Sequence, residues 1–147
     1  MAEGEGEITR RIVEDAADAI LSCDTEGVIR LWNSGAERIF GFSADEAIGK
    51  TLDIIVPERL RARHWDGWTH ALAAGKSRYG AGELLAVPAI RKDGSTLSIE
   101  FTIVMVHDAA GGIAGVAAII RDVTARWQKE KELRARLKEL EQRAAAR

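Results

Sequence analysis

The chain has 147 residues, 46% of them apolar and 30% charged, with a formal net charge of −2. That suits one compact domain with an appendage and excludes two full domains. The near-neutral balance gives no electrostatic case for nucleic acid, the single cysteine, Cys23, excludes an internal disulfide framework, and no apolar run approaches the ~20 residues a membrane span requires.

Met1 to Gly6 are small and acidic and are expected to fray. From Ile8 to about Ala19, the apolar residues Ile8, Ile12, Val13, Ala16 and Ala17 fall at helical spacing and predict a short amphipathic helix. There is no apolar secretion signal, so the expectation is a cytoplasmic protein with no membrane partner. Ala19 to Cys23 reads as a strand, Asp24-Thr25-Glu26-Gly27 as a turn, and Val28 to Trp32 as the returning strand. Asn33 can cap a helix through Ala36, Ile39 and Phe40 that Gly41 ends, and Ser43 with Glu46 is a capping-box pattern closed by Gly49. After Pro57, good helix formers run from Glu58 to Ala74 and stop at Gly75, with Leu60, Trp65, Trp68, Ala71 and Leu72 near helical spacing.

The next stretch is β. Tyr79 to Val87 is an extended candidate limited by Pro88, Arg91-Lys92-Asp93-Gly94 is a tight turn, and Thr96 to Val106 alternates with Leu97, Ile99, Phe101, Ile103 and Met105 on one face. Alternation turns Glu100 to solvent, and Glu83 reads the same way. Asp108 to Gly112 turns again, and Ile113 to Val123 is a strand of small apolar residues. From Thr124 onward the chain lacks Gly and Pro, and Leu133, Leu137 and Leu140 recur at coiled-coil spacing. The expected plan is α+β: one antiparallel sheet covered on one face by helices. It divides into an N-terminal helix over 1–18, a domain over 19–124, and a C-terminal helix over 125–147. Thr124 is expected to cap that last helix.

These residues carry a resemblance. Asp24-Thr25-Glu26-Gly27-Val28-Ile29 followed by Trp32-Asn33, then Ala36-Glu37-Arg38-Ile39-Phe40-Gly41-Phe42, Glu46-Ala47-Ile48-Gly49-Lys50, Arg91-Lys92-Asp93-Gly94 and Arg121-Asp122-Val123-Thr124 follow the motif order of PAS sensor domains, from about Glu14 to Thr124. The chain resembles that family. The resemblance implies a five-stranded antiparallel sheet enclosing a cavity, and a helix after Asp122-Val123-Thr124 that carries the signal to an effector domain or partner. Asp122 and Thr124 are then the expected relay residues.

The three histidines, His64, His70 and His107, lack zinc spacing with Cys23, and the chain shows no Ser-His-Asp pattern or phosphate-cradling loop, so no catalytic residue is expected. The triplet Gly80-Ala81-Gly82 lacks a third glycine. His64 follows Val56-Pro57-Glu58, and haem-binding PAS domains of bacterial oxygen sensors are similar in this stretch. The resemblance implies haem b, with His64 as axial ligand to the iron and Leu84, Leu85, Phe101 and Ile103 lining the pocket. Leu84 and Leu85 stand near the place where those sensors carry an arginine, so carbon monoxide or nitric oxide is expected to bind well and oxygen to bind weakly or oxidise the iron, unless Tyr79 or Trp68 supplies a substitute donor. Arg59, Arg61 and Arg63 are expected on a solvated face or beside haem propionates. Cys23 lies in a strand, away from the helix that carries the cysteine in flavin-binding light sensors. The alternatives are another small ligand, or a ligand-free interaction domain. Either way, a homodimer through the first helix and the C-terminal coiled coil is expected, with Trp127 on the sheet or at the dimer contact.

Overall fold

The computed structural model describes the backbone of residues 2–76 and 85–146, with side chains from residue 4 onward in those ranges. In chain order the elements are α1 (Ala2–Asp15), β1 (Ala19–Asp24), β2 (Ile29–Trp32), α2 (Ser34–Phe40), α3 (Ala44–Ala47), short 3-10 turns at Leu52–Ile54 and Glu58–Leu60, α4 (Arg61–Ala74), β3 (Leu85–Ile90), β4 (Thr96–His107), β5 (Ile113–Asp122) and α5 (Thr124–Ala145). The five strands form one sheet in the order β2-β1-β5-β4-β3, antiparallel at every junction.

Strand alternation divides the two faces. Ala19, Leu21 and Cys23 of β1, Leu97 and Ile99 of β4, and Ile120 of β5 are buried, and Trp32, Ala36, Phe40, Leu52 and Ile55 pack on them from β2 and the helical middle. The opposite face leaves Val104 and Ile119 exposed. An antiparallel sheet tolerates one such open face, whereas a parallel one rarely does.

Asn33 is the single polar residue among the buried residues described, and it knots the start of the domain. Its Oδ1 accepts from Ile20 N (2.8 Å) and Ala36 N (2.9 Å), while its Nδ2 donates to Val13 O (2.8 Å) and Asp18 O (3.0 Å). It therefore caps α2 as expected and also takes a carbonyl at the end of α1. Ser34 Oγ donates to Glu14 O (2.6 Å) and Arg38 to Ala17 O (2.7 Å). A Cβ on Gly35 would stand 2.1 Å from the Asp18 carbonyl oxygen, so this contact between backbones admits no side chain.

Several expectations are corrected. The first residues are helical rather than frayed: α1 begins at Ala2, and Glu7 pairs with Arg10 and Arg11 at 2.7 and 3.1 Å. It stops at Asp15 rather than near Ala19, where α2 side chains take its last carbonyls. Regular α-helix in α4 starts at Arg61, not Glu58, after a 3-10 turn. The strand expected to end at Val87 continues through Pro88 to Ile90. Proline is tolerated there because β3 is an edge strand and needs no second ladder. Tyr79, Gly80-Ala81-Gly82 and Glu83 lie outside the described residues. Among the described residues, no helix is long and apolar enough to cross a membrane.

Candidate functional site

The inner stripe of α4 builds the first part of the site. Arg61, His64, Trp65, Trp68 and Leu72 recur at helical spacing and are each half-buried, while Arg63, Asp66 and His70 face out. Polar handles fix the two indoles: Trp65 Nε1 donates to Asp53 Oδ1 at 2.7 Å and Trp68 Nε1 to Thr25 O at 3.1 Å. The Trp65 ring lies on the β1–β2 turn, where Gly27 has φ +82° and a Cβ would come within 2.4 Å of the indole. Glycine is required there on both counts. Asp24 braces the turn, its Oδ1 accepting from Glu26 N (2.9 Å) and Val28 N (3.0 Å) and its Oδ2 from Arg30.

His64 sits inside this frame. Its ring meets Trp65 edge-on at 4.6 Å and Trp68 at 6.2 Å between centroids. Its Nδ1 is buried with no hydrogen-bond partner among the described residues. Burial pushes the imidazole pKa below its ordinary value, and the nearby Asp53 carboxylate opposes this only in part. Burial thus favours the neutral ring, the form of imidazole that binds metal, with a nitrogen that takes no hydrogen bond from the described residues. A buried polar atom left unpaired costs about 1–3 kcal/mol, so the folded domain carries this atom at a loss. On chemistry, the donor fits haem iron.

The other expected pocket residues come together in part. Leu85 lies opposite Phe101 in the β3–β4 register, and Ile103 follows two positions on, on the same face. Phe101, Trp65 and Trp68 pack against one buried cluster. Leu84 lies outside the described residues. His70 is exposed and bonded to Asp66 O at 2.8 Å, and His107 is exposed at the end of β4. Arg59 and Arg63 face solvent, whereas Arg61 turns inward to Val56 O (3.1 Å) and Asp53 O (3.2 Å). Burial, with some help from Asp24, pushes the Cys23 thiol up to about 12, which keeps it protonated and unreactive. Among the described residues no cluster of His, Cys, Asp and Glu could hold a bare metal ion.

The second part of the site is the junction between β5 and α5. Thr124 is the first helical residue, not the cap: the preceding Val123 offers no side-chain bond, and Asp122 does the work from one residue further back. Asp122 Oδ1 accepts from the Thr124 amide (2.9 Å) and hydroxyl (2.6 Å). Thr124 Oγ1 in turn accepts from Ser98 N (2.9 Å), and Val123 N donates to Ser98 O (2.9 Å), so the first turn of α5 is stitched to β4. Burial draws the Asp122 carboxyl upward, but the Thr124 hydrogen bonds and the Arg91 guanidinium outweigh it and hold the group below the ordinary carboxylate value. Arg91 reaches Asp122 Oδ2 at 3.2 Å from the β3–β4 turn. Glu100, expected in solvent, has a side chain only 17% exposed because Arg126 of α5 closes over it in an ion pair. Trp127 is 44% exposed, with the Lys131 ammonium 5.3 Å from its ring centre.

Sequence reasoning missed Arg91, Ser98 and Asp53. Arg91 and Ser98 bond across 31 and 26 residues of chain, and Asp53 meets Trp65 across 12, distances at which no spacing rule operates.

The family model described as the PAS fold matches residues 13–128. Sensor protein FixL of Bradyrhizobium diazoefficiens is 33% identical over 132 residues, covering 90% of this chain and 25% of that protein. Oxygen sensor protein DosP of Escherichia coli is 27% identical over 106 residues, covering 72% of this chain and 13% of that protein. The chain thus spans a quarter or less of these relatives. A PAS domain from Colwellia psychrerythraea superposes with a TM-score of 0.72 at 22% identity, covering 82% of this chain and 98% of that one.

Proposed function

This chain belongs to the PAS family, and from that premise we propose that it is a sensory signal-transduction module: His64 holds haem b on the inner side of the sheet, and the state of that site passes through Asp122 and Thr124 into α5. The observation that carries the proposal is the buried His64 Nδ1, which has no partner among the described residues. An unpaired polar atom is a standing cost, and a ligand that takes it removes that cost. Haem would supply an iron able to bind diatomic gases. The chain's own residues supply the rest. Trp65 and Trp68 fix the imidazole's orientation, Leu85, Phe101 and Ile103 present apolar surface, and burial keeps the ring unprotonated. The similarity to an oxygen sensor protein supports a gas as the signal.

The relay follows from bonding. Ser98 lies in the strand that also carries Phe101, and it holds Thr124, so a shift of β4 moves the first turn of α5. Two exposed apolar stripes support a homodimer: Ile8 and Ile12 on α1, and Leu133, Leu137 and Leu140 on α5. A seam of this length is marginal alone and gains from the domains beside it. The output belongs to an effector domain or partner joined to α5.

One specific observation favours a second reading, a ligand-free interaction domain: the Trp65 and Trp68 rings already occupy the space beside His64. Absorbance separates the two. Protein expressed with ample haem is expected to show a Soret band at one haem per chain. A haem-supplied protein without that band overturns the haem assignment and leaves the ligand-free reading.

A further inference from the structure

Glu100 stands between two arginines. It lies directly across from Arg121 in the β4–β5 register, yet its carboxylate is taken by Arg126 of α5. Arg121 turns the other way and grips Asp18 with two bonds, Nε to Oδ1 at 3.2 Å and Nη2 to Oδ2 at 3.1 Å. Arg126 continues to Glu130 at 3.7 Å, and Glu130 to Arg134 at 3.8 Å. Charges therefore alternate in sign from the segment after α1, across β5 and β4, onto the first turns of α5, in two ion-paired groups that meet where Arg121 faces Glu100 in register without bonding it. All of this lies on the outer face of the sheet, because Phe101 and Ile120, the neighbours of Glu100 and Arg121, face the core.

Asp18 is not loosely placed. Its carbonyl is held by Asn33 and abuts Gly35, and the last carbonyls of α1 are held by Asn33 and Ser34. The end of α1 and Asp18 are thus fastened to the same buried point of the domain, which leaves the Asp18 side chain as the part free to change partner. The Asp18 hydrogen bonds and charge, with a further contribution from Glu100, hold the Arg121 guanidinium above its ordinary pKa. Opposite charges facing each other on paired strands attract, so an Arg121 that lost Asp18 would find its next carboxylate in Glu100. That carboxylate is the one that pins Arg126.

We propose that Asp18, Arg121, Glu100 and Arg126 form a partner-exchange clasp that couples the segment between α1 and β1 to α5 across the outer face of the sheet, independently of the site around His64. With Asp18 seated, Arg121 is kept away and Glu100 holds Arg126. When the Asp18 carboxylate lets go of Arg121, by a swing of its side chain or by loss of its charge, Arg121 competes for Glu100 and the first turns of α5 loosen. Two inputs then converge on the same helix, one through Ser98 and Thr124 from the inner face, the other through Glu100 from the Asp18 segment. The clasp is ionic and mostly exposed, so salt weakens it: the Debye length falls from about 8 Å at physiological strength to about 3 Å at 1 M.

The test is amide hydrogen exchange over residues 125–130 of the full chain at low salt. Asp18→Asn, a change at a residue that bonds Arg121 rather than α5, is expected to speed exchange there about two- to fivefold, the range of a single exposed ion pair. Arg121→Ala is expected to leave these amides protected, since it removes the competitor. In that background Asp18→Asn should do nothing, a non-additivity that a generally weakened fold would not produce. At 1 M salt the difference between wild type and Asp18→Asn should vanish. Unchanged exchange in Asp18→Asn, or equal loosening by Arg121→Ala, would overturn the clasp.

Discussion

Replacing His64 with alanine should abolish haem retention while the domain stays folded. Removal of a residue that merely supports a metal ligand costs about 10–100-fold in affinity, so losing the ligand itself should cost more than about 100-fold. His70→Ala and His107→Ala should leave the Soret band intact, since both rings are exposed and lie off the inner stripe of α4. His64→Leu sharpens the expectation. It removes the unpaired Nδ1 and keeps much of the packing against Trp65 and Trp68, so the ligand-free protein should become more stable, by about 1 kcal/mol, even as it loses haem. A residue whose loss raises stability and removes binding is held in place by function. Thermal unfolding without haem and absorbance with it measure the two effects separately. A Soret band that survives in both variants would assign the iron to another residue.

Asn33→Ala should be the most damaging polar substitution in the chain. It strips partners from Ile20 N, Ala36 N, Val13 O and Asp18 O at once, in a place with almost no solvent access. A buried group left unpaired costs about 1–3 kcal/mol, and partial relaxation of four such groups puts the loss at about 3–5 kcal/mol. Urea denaturation followed by circular dichroism measures it, with an unchanged slope if the denatured state is unaffected. Asn33→Asp separates the two halves of the knot. It keeps the acceptor for Ile20 and Ala36 but turns an oxygen on the carbonyls of Val13 and Asp18, so its damage should concentrate on the attachment of α1. A loss below 1 kcal/mol for Asn33→Ala would mean that Asn33 does not tie α1 to the domain.

Local rules reached most of the architecture because most of it is locally encoded. The Ser43 and Glu46 capping box forms both of its bonds, Gly41 and Gly75 end their helices with positive φ, and the alternation in β4 sorts its residues onto two faces. The departures come where distant residues decide. Where α1 ends is set by Asn33 and Ser34, and Pro88 is allowed inside a strand only because β3 is at an edge. His64 was singled out by the likeness of its stretch to haem-binding PAS domains and not by spacing; its place beside the Trp65 and Trp68 rings is what the structure adds. Its Nδ1, without a partner among the described residues, was not legible, because an absent bond has no sequence signature. At the junction the expected cap, Thr124, is the first helical residue instead: Asp122 takes its amide, and its hydroxyl accepts from Ser98 on a strand 26 residues away.

In this mechanism the state of the inner face reaches α5 through β4. The most direct measurement is amide hydrogen exchange at Ser98 and over the first two turns of α5, compared between the protein with and without haem. The expected result is a change in protection at these amides on haem binding, lost in Thr124→Val, which retains the shape of the side chain but neither donates to Asp122 nor accepts from Ser98. Haem bound at His64 with identical exchange at Ser98 and in α5 would contradict it.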